Sequence, residues 1–136
     1  MGSEFTFYDY VVDEKNFIEE WLDNEVPEQV RAKFKNWLLH LEATKPGQWQ
    51  RPLVDTLTDD CAGFFEIRAK LAKNQYRILG CHGPGERKPT LLYGFMKPGN
   101  KVPQWACNEA NLRKERVLSD DQKPDQYRKP HNYEHE

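Results

Sequence analysis

The stretch Phe65-Glu66-Ile67-Arg68-Ala69-Lys70-Leu71 alternates without a break between apolar and charged residues. A period of two is that of a half-buried β-strand. It sends Phe65, Ile67, Ala69 and Leu71 to one face and Glu66, Arg68 and Lys70 to the other. A second run of strand formers starts at Gln75, so the two runs are joined by a tight turn and form a hairpin. The spacing predicts three strands, at about 63–72, 75–82 and 89–96. The last contains Leu91-Leu92-Tyr93-Gly94-Phe95-Met96, apolar on both faces as an interior strand is, and Gly83-Pro84-Gly85 marks the loop before it.

Upstream, Phe5-Thr-Phe-Tyr-Asp-Tyr-Val-Val12 is aromatic and β-branched and reads as another strand. Asp13 is placed to cap a short helix over 14–24, with Phe17, Ile18, Trp21 and Leu22 on one stripe. Pro27 suits the first turn of a second helix running to about Thr44, where Val30, Phe34, Trp37, Leu38 and Leu41 recur at helical spacing. Residues 46–62 read as a loop, and Pro103 opens a last helix over 104–117. Beyond Leu118 the chain is polar and aperiodic, so residues 1–118 are expected to form the domain and 119–136 a flexible tail. The order of elements predicts an α+β domain: two N-terminal helices packed on one face of a mostly antiparallel sheet of about four strands, plus a C-terminal helix.

A chain of 136 residues holds one core, and at 38% apolar residues that core is lean. No run approaches the ~20 apolar residues of a membrane span. The N-terminus has neither the basic start nor the apolar stretch of a signal peptide. A soluble, cytoplasmic protein with no membrane contact is expected. Cys61, Cys81 and Cys107 are odd in number and widely spaced, and are expected to be small buried thiols rather than a disulfide framework or a metal pair. No metal and no small-molecule cofactor is expected.

The net charge of −2 conceals a strong asymmetry. Residues 1–30 carry nine acids and one base, whereas residues 31–118 carry sixteen bases and eight acids. The overall balance argues against a simple nucleic-acid binder, but the basic middle leaves room for a face that attracts phosphate. With Lys73-Asn74 as a two-residue loop, Lys70 lies directly across from Arg77, and Arg68 shares their face. A three-residue loop would turn Arg77 toward the apolar face, where burial is expensive. Crowded cations on an open sheet face suit an anion site, which Lys97 and Lys101 extend. Ordinary solvated strand residues, compensated by Glu66 or by acids of the first helix, are the competing reading.

Phe64-Phe65-Glu66-Ile67-Arg68, then Tyr76-Arg77-Ile78-Leu79, then Leu91 to Lys97 together resemble the RelE/HigB superfamily of type II toxin–antitoxin toxins, and within it the phage-derived HigB-like group. The resemblance covers roughly residues 5–117. It implies a RelE-like fold and a ribosome-dependent endoribonuclease that cuts mRNA. It also implies a cognate antitoxin, expected to be a helix-turn-helix protein, that covers the basic face. By position, Arg77 matches the strand arginine beside the scissile phosphate, Arg68 and Lys70 the basic pair on the preceding strand, and Lys97 the basic residue closing the last strand. The implied reaction is attack of a ribose 2′-hydroxyl on its own 3′-phosphate, which needs a base, an acid and cations for the developing charge. Arg77, Lys70 and Arg68 are then the expected catalytic residues: Arg77 stabilises charge or acts as acid, and Lys70 is the candidate base because Arg68 stays protonated. The chain departs from the pattern at Pro98, where many relatives carry a second basic residue, and at Cys107, where some carry a Tyr.

Other residues bear on function more weakly. His82 follows the second hairpin strand and is a candidate RNA contact with Lys97 and Lys101, although a solvated loop histidine is the more common case. Trp49 and Trp105 are candidates for stacking on bases, with core packing the more ordinary use. A non-catalytic interaction module of the same fold, binding an antitoxin-like protein or nucleic acid, is the alternative function.

Overall fold

The computed structural model describes residues 4–45, 47–49, 54–56, 61–99, 101–119 and 125–133. Within them run β1 (Tyr8–Val12), β2 (Lys15–Asn16), α1 (Phe17–Glu25), α2 (Glu28–Glu42), β3 (Val54–Thr56), β4 (Phe65–Leu71), β5 (Asn74–Cys81), β6 (Thr90–Pro98), α3 (Gln104–Leu118) and β7 (Arg128–Pro130). The α+β class holds, but among the described residues the sheet has seven strands rather than about four. Its order is β2-β1-β6-β5-β4-β3, with β7 also paired to β1; the β1–β6 pairing is parallel and the other pairings among the described residues are antiparallel. The segment 46–62 was expected to be loop throughout; its residues 54–56 pair instead with β4.

Asp13 does not cap a helix. Asp13 and Glu14 take left-handed backbone (φ 48° and 71°) and form the two-residue turn of the β1–β2 hairpin, a conformation Asp tolerates. The cap falls to Asn16, whose Oδ1 accepts from the Glu19 N–H at 2.9 Å while its Nδ2 donates to Glu19 Oε2 at 3.2 Å. Pro27 stands just ahead of α2, as its preset φ suits.

The two N-terminal helices share one face of the sheet, and α3 covers the other. Ile18 of α1 and Val30, Phe34, Leu38 and Leu41 of α2 pack against Phe65, Ile67, Ala69 and Ile78. On the other face, Ala106, Cys107, Ala110 and Val117 of α3 cover Leu79, Leu92 and Phe95. On the charged side of β4, Glu66 is buried and Arg68 half-covered, whereas Lys70 stays exposed. The Cys61 and Cys107 sulfurs are joined as a disulfide with Cα atoms 5.3 Å apart, against the expectation of free thiols, and tie the segment before β4 to α3. Cys81 is a buried free thiol, pushed up to about 11 by burial.

Part of the expected tail is ordered. Arg128, Lys129 and Pro130 pair with Tyr10, Asp9 and Tyr8. Arg128 is buried: it donates to Lys88 O (2.8 Å), Thr90 Oγ1 (3.1 Å) and Pro84 O, pairs with Asp125 and lies 4.0 Å from the Tyr8 ring centroid. His131 sets Nδ1 at 2.9 Å from both carboxylate oxygens of the buried Asp9. The pattern rule missed this segment because one buried arginine and one histidine carry it, with no apolar period to detect.

Candidate functional site

The β4–β5 turn is Ala72-Lys73, not Lys73-Asn74. Leu71 pairs with Asn74, Lys70 with Gln75 and Arg68 with Arg77. Ala72 takes the left-handed backbone (φ 57°) that the turn requires. The expected opposition of Lys70 and Arg77 is therefore replaced by that of Arg68 and Arg77. A slip of two residues leaves every side chain on its expected face. Its effect is to make Glu66 a diagonal neighbour of Arg77, so that the cation enters the sheet beside a carboxylate.

Two rows of side chains cross three strands on this face. Lys70, Gln75 and Lys97 form one row, and Arg68, Arg77 and Phe95 the next. Arg77 is 0% exposed, which corrects its assignment to an open surface. Its Nη2 donates to Gln75 Oε1 at 3.1 Å and to the Gly99 carbonyl, and its Nε lies 3.5 Å from Glu66 Oε2. Gly99, at φ 94°, makes the left-handed turn that carries its carbonyl to the guanidinium. Arg77 Nη1 has no hydrogen-bond partner among the described residues. Burial pulls the guanidinium below its ordinary range, Glu66 opposes that, and Arg68 adds to it.

Arg68 is the half-exposed partner. Its Nε lies 3.1 Å from Glu66 Oε1, and its Nη1 donates to the same Gln75 Oε1 at 3.3 Å. One carboxylate and one amide oxygen thus hold both guanidinium groups. Glu66 was anticipated as compensation, but nothing in the local sequence marked Gln75; only the register brings it in.

The exposed charge lies around this pair. Lys70, Lys73, Lys97 and Lys101 are exposed at the hairpin end of the sheet, and Lys33 of α2 donates its Nζ to the Lys70 carbonyl at 3.1 Å. Together with Arg68 they form a basic rim able to meet phosphate oxygens. Arg77, wholly enclosed, lies beneath this rim.

His82 does not join the rim. It stands five residues beyond Arg77 along the strand, ~17 Å away at strand rise. Its ring packs 5.2 Å from Phe65 and 5.7 Å from Trp49, and burial lowers its pKa. Trp49 is partly buried against the core, its indole N–H bonded to Leu41 O at 3.1 Å, whereas Trp105 is 50% exposed against Tyr93 and Phe95. Among the described residues no group of three His, Cys, Asp or Glu side chains is placed to hold a metal, and no helix is long and apolar enough to cross a membrane.

One family model matches residues 20–115, that of the phage-derived protein Gp49-like (DUF891). No curated protein and no solved structure shows significant similarity to the chain.

Proposed function

The chain belongs to the phage-derived Gp49-like family, and from that premise we propose that it is the toxin of a type II toxin–antitoxin pair. In this reading it has a RelE-like fold, acts in the cytoplasm as a ribosome-dependent mRNA endoribonuclease, and is neutralised by a cognate antitoxin, a helix-turn-helix protein. The Gp49-like family is associated with RelE/HigB-like toxins, which supports the class. The observation that carries the proposal is the basic rim: Arg68, Lys70, Lys73, Lys97 and Lys101 gather at one end of the sheet in a chain whose net charge is −2.

The rim suits a phosphodiester. Lys70 and Lys97 flank Gln75 on one row, roughly two strand spacings or ~10 Å apart, so they can bracket a single phosphate or neighbouring ones. Lys70 takes the proton of the attacking 2′-hydroxyl in this reading. Arg68 and Lys97 offset the negative charge that builds on the non-bridging phosphate oxygens as the O2′–P bond forms and the P–O5′ bond breaks, and the departing 5′-oxygen takes its proton from water, to which Lys70 returns the proton it accepted. The charge-stabilising role expected of Arg77 passes to these exposed cations, and Arg77 becomes a positioning residue.

Burial of Arg77 favours a second reading. If the family's strand arginine must touch phosphate, a buried Arg77 leaves a binding module without catalysis. Induced expression in a bacterium, with growth and primer extension on a reporter mRNA as readouts, separates the two. Wild type arrests growth and cleaves. Lys70→Ala loses about a hundredfold or more of the cleavage rate if it is the base, whereas Lys45→Ala, at the end of α2, keeps it. A wild type that neither arrests growth nor cleaves mRNA defeats the enzyme reading.

A further inference from the structure

Trp105 stands on the same face of the sheet as the basic rim. Along β6, Tyr93, Phe95 and Lys97 alternate onto one side, and Phe95 is the cross-strand partner of Arg77. Trp105, in the first turn of α3, packs on that side. Its ring lies 5.6 Å from that of Phe95 and 6.2 Å from that of Tyr93, at interplanar angles of 70° and 82°. The row that begins at Arg68 and Arg77 therefore ends at Phe95 with Trp105 against it. Lys97 follows two residues along the strand, ~7 Å away at strand rise.

A cleft of about 460 Å³ adjoins the exposed part of Trp105. It exists because β6 pairs with β1 only through Thr90 and Leu91, and among the described residues no strand covers its outer edge from Tyr93 onward. Phe17 and Trp21 of α1 line the cleft together with Tyr93, Phe95 and Trp105, so its walls are largely aromatic. A Cβ at Gly94 would stand 2.3 Å from Trp21 Cε3, so glycine there lets the indole lie against the strand. Two bases, Lys15 and Arg113, and two acids, Glu20 and Glu25, border the cleft, so the charges of its lining cancel. Lys15 is paired with Glu20 at 3.7 Å and Arg113 with Glu109 at 2.8 Å. At the mouth nearest the rim the balance changes: exposed Lys97 follows Met96, and exposed Lys101 stands four residues before Trp105.

An aromatic, charge-balanced cleft that opens onto cations has the polarity of a nucleotide, whose base is flat and uncharged and whose phosphate is an anion. A charged peptide of either sign gains nothing from a lining whose charges cancel, whereas every base offers a π-face to an aromatic wall. We propose that Trp105 and the adjoining cleft form a nucleobase-stacking subsite for single-stranded RNA whose phosphates lie on the basic rim. This deepens the proposed function and rests on its reading of the rim as a phosphate-binding surface. A base stacks on the open part of Trp105, and Lys97 and Lys101 hold the phosphates beside it. Glu20 and Glu25, carried by α1 on the opposite face, keep the sugar–phosphate backbone at the rim. Trp105 supplies affinity that salt does not screen, because stacking releases no counterions.

The test compares two short single-stranded oligonucleotides on the full chain. One is RNA with 2′-O-methyl riboses throughout, so that no 2′-hydroxyl is available for attack; the other keeps every phosphate but lacks every base. Fluorescence anisotropy over a salt series measures affinity, and tryptophan emission reports stacking. Wild type is expected to bind the complete oligonucleotide roughly fivefold or more tightly than the abasic one, as one stacked base supplies, and its emission should be quenched by the complete one alone. Trp105→Ala should bind the two equally, with the wild-type salt slope, because no phosphate contact is lost. Trp105→Phe keeps a ring in place, so it should retain part of the preference and lose most of the quenching. A thermal melt of each variant accompanies the titrations, and the conservative Trp105→Phe carries the test if Trp105→Ala melts early. Equal affinity of wild type for the two oligonucleotides, or a preference and quenching that persist unchanged in Trp105→Phe and Trp105→Ala, overturns the subsite and leaves the rim standing. Binding of neither oligonucleotide overturns the reading of the rim, and the subsite with it.

Discussion

Arg68 and Arg77 stand directly opposite each other across the β4–β5 ladder, and the carboxylate of Glu66 contacts both, one oxygen to each. Two like charges facing across a hairpin repel. Here the repulsion is offset by one acid and by the shared Gln75 oxygen, and half of the pair is withdrawn from solvent altogether. The cluster is therefore part of the framework as well as the floor of the basic rim.

Because Arg77 is enclosed, Arg77→Ala is expected to destabilise the fold rather than leave it intact. Removing one partner of a buried ion pair typically costs ~3–5 kcal/mol. The variant should show a clearly lower urea midpoint. Loss of toxicity in Arg77→Ala is then no evidence for chemistry at that side chain. A midpoint equal to wild type would mean that Arg77 is solvated in solution.

The rim residues should behave in the opposite way. Lys70→Ala and Lys97→Ala remove exposed charges and should leave the melting temperature within about 2 °C, since such surface changes are usually within ~0.5 kcal/mol. Each should weaken binding of single-stranded RNA uniformly across sequences and reduce the slope of log affinity against log salt by ~0.7. A salt titration of both variants checks this, and unchanged slopes would remove these lysines from the interface.

His131 should make stability fall as the solution becomes alkaline. Burial lowers its pKa, but the Asp9 bond and charge, with Glu42 and Glu19, raise it further, so the net shift is upward from 6.5. A group whose folded pKa is raised contributes its full stabilisation below the unfolded value and loses it as pH climbs through the folded value. Chemical denaturation at a series of pH values from about 6 upward should show this decline in wild type. His131→Gln should abolish most of it. A wild-type profile rising over that window would contradict the Asp9 pairing.

The segment 125–133 should be worth several kcal/mol. Arg128→Ala leaves the Thr90 hydroxyl and the Pro84 and Lys88 carbonyls without their donor and removes a cation stacked on Tyr8. A loss of about 3 kcal/mol is expected, read as a lower melting temperature. Truncation after Ser119 should cost at least as much. A truncated chain that melts with the full one would show that β7 is dispensable.

Several elements were legible in the linear pattern because they obey a period. The alternation of Phe65 to Leu71 specified a strand and its two faces, and the recurrence of Val30, Phe34, Leu38 and Leu41 specified α2 to within two residues at its C-terminus. These signals depend only on which residues share a face, and that is a local property of helix and strand geometry. The same logic placed Arg68, Lys70, Arg77 and Lys97 on one side of the sheet, since a two-residue slip of register preserves the face. What occupies the space above that face is not local. Whether Arg77 meets water or protein depended on α3 returning to cover Leu79 and Phe95, on Gly99 turning its carbonyl inward, and on Glu66 and Gln75 arriving from two strands. The Cys61–Cys107 bond, the Asp9–His131 contact and the open edge of β6 likewise join residues or leave gaps across 46 positions, across 122, and where β1 parts from its neighbour. Each is set by the path of the chain through space, because burial and long-range contact are properties of the packed layers and not of any one stretch of residues.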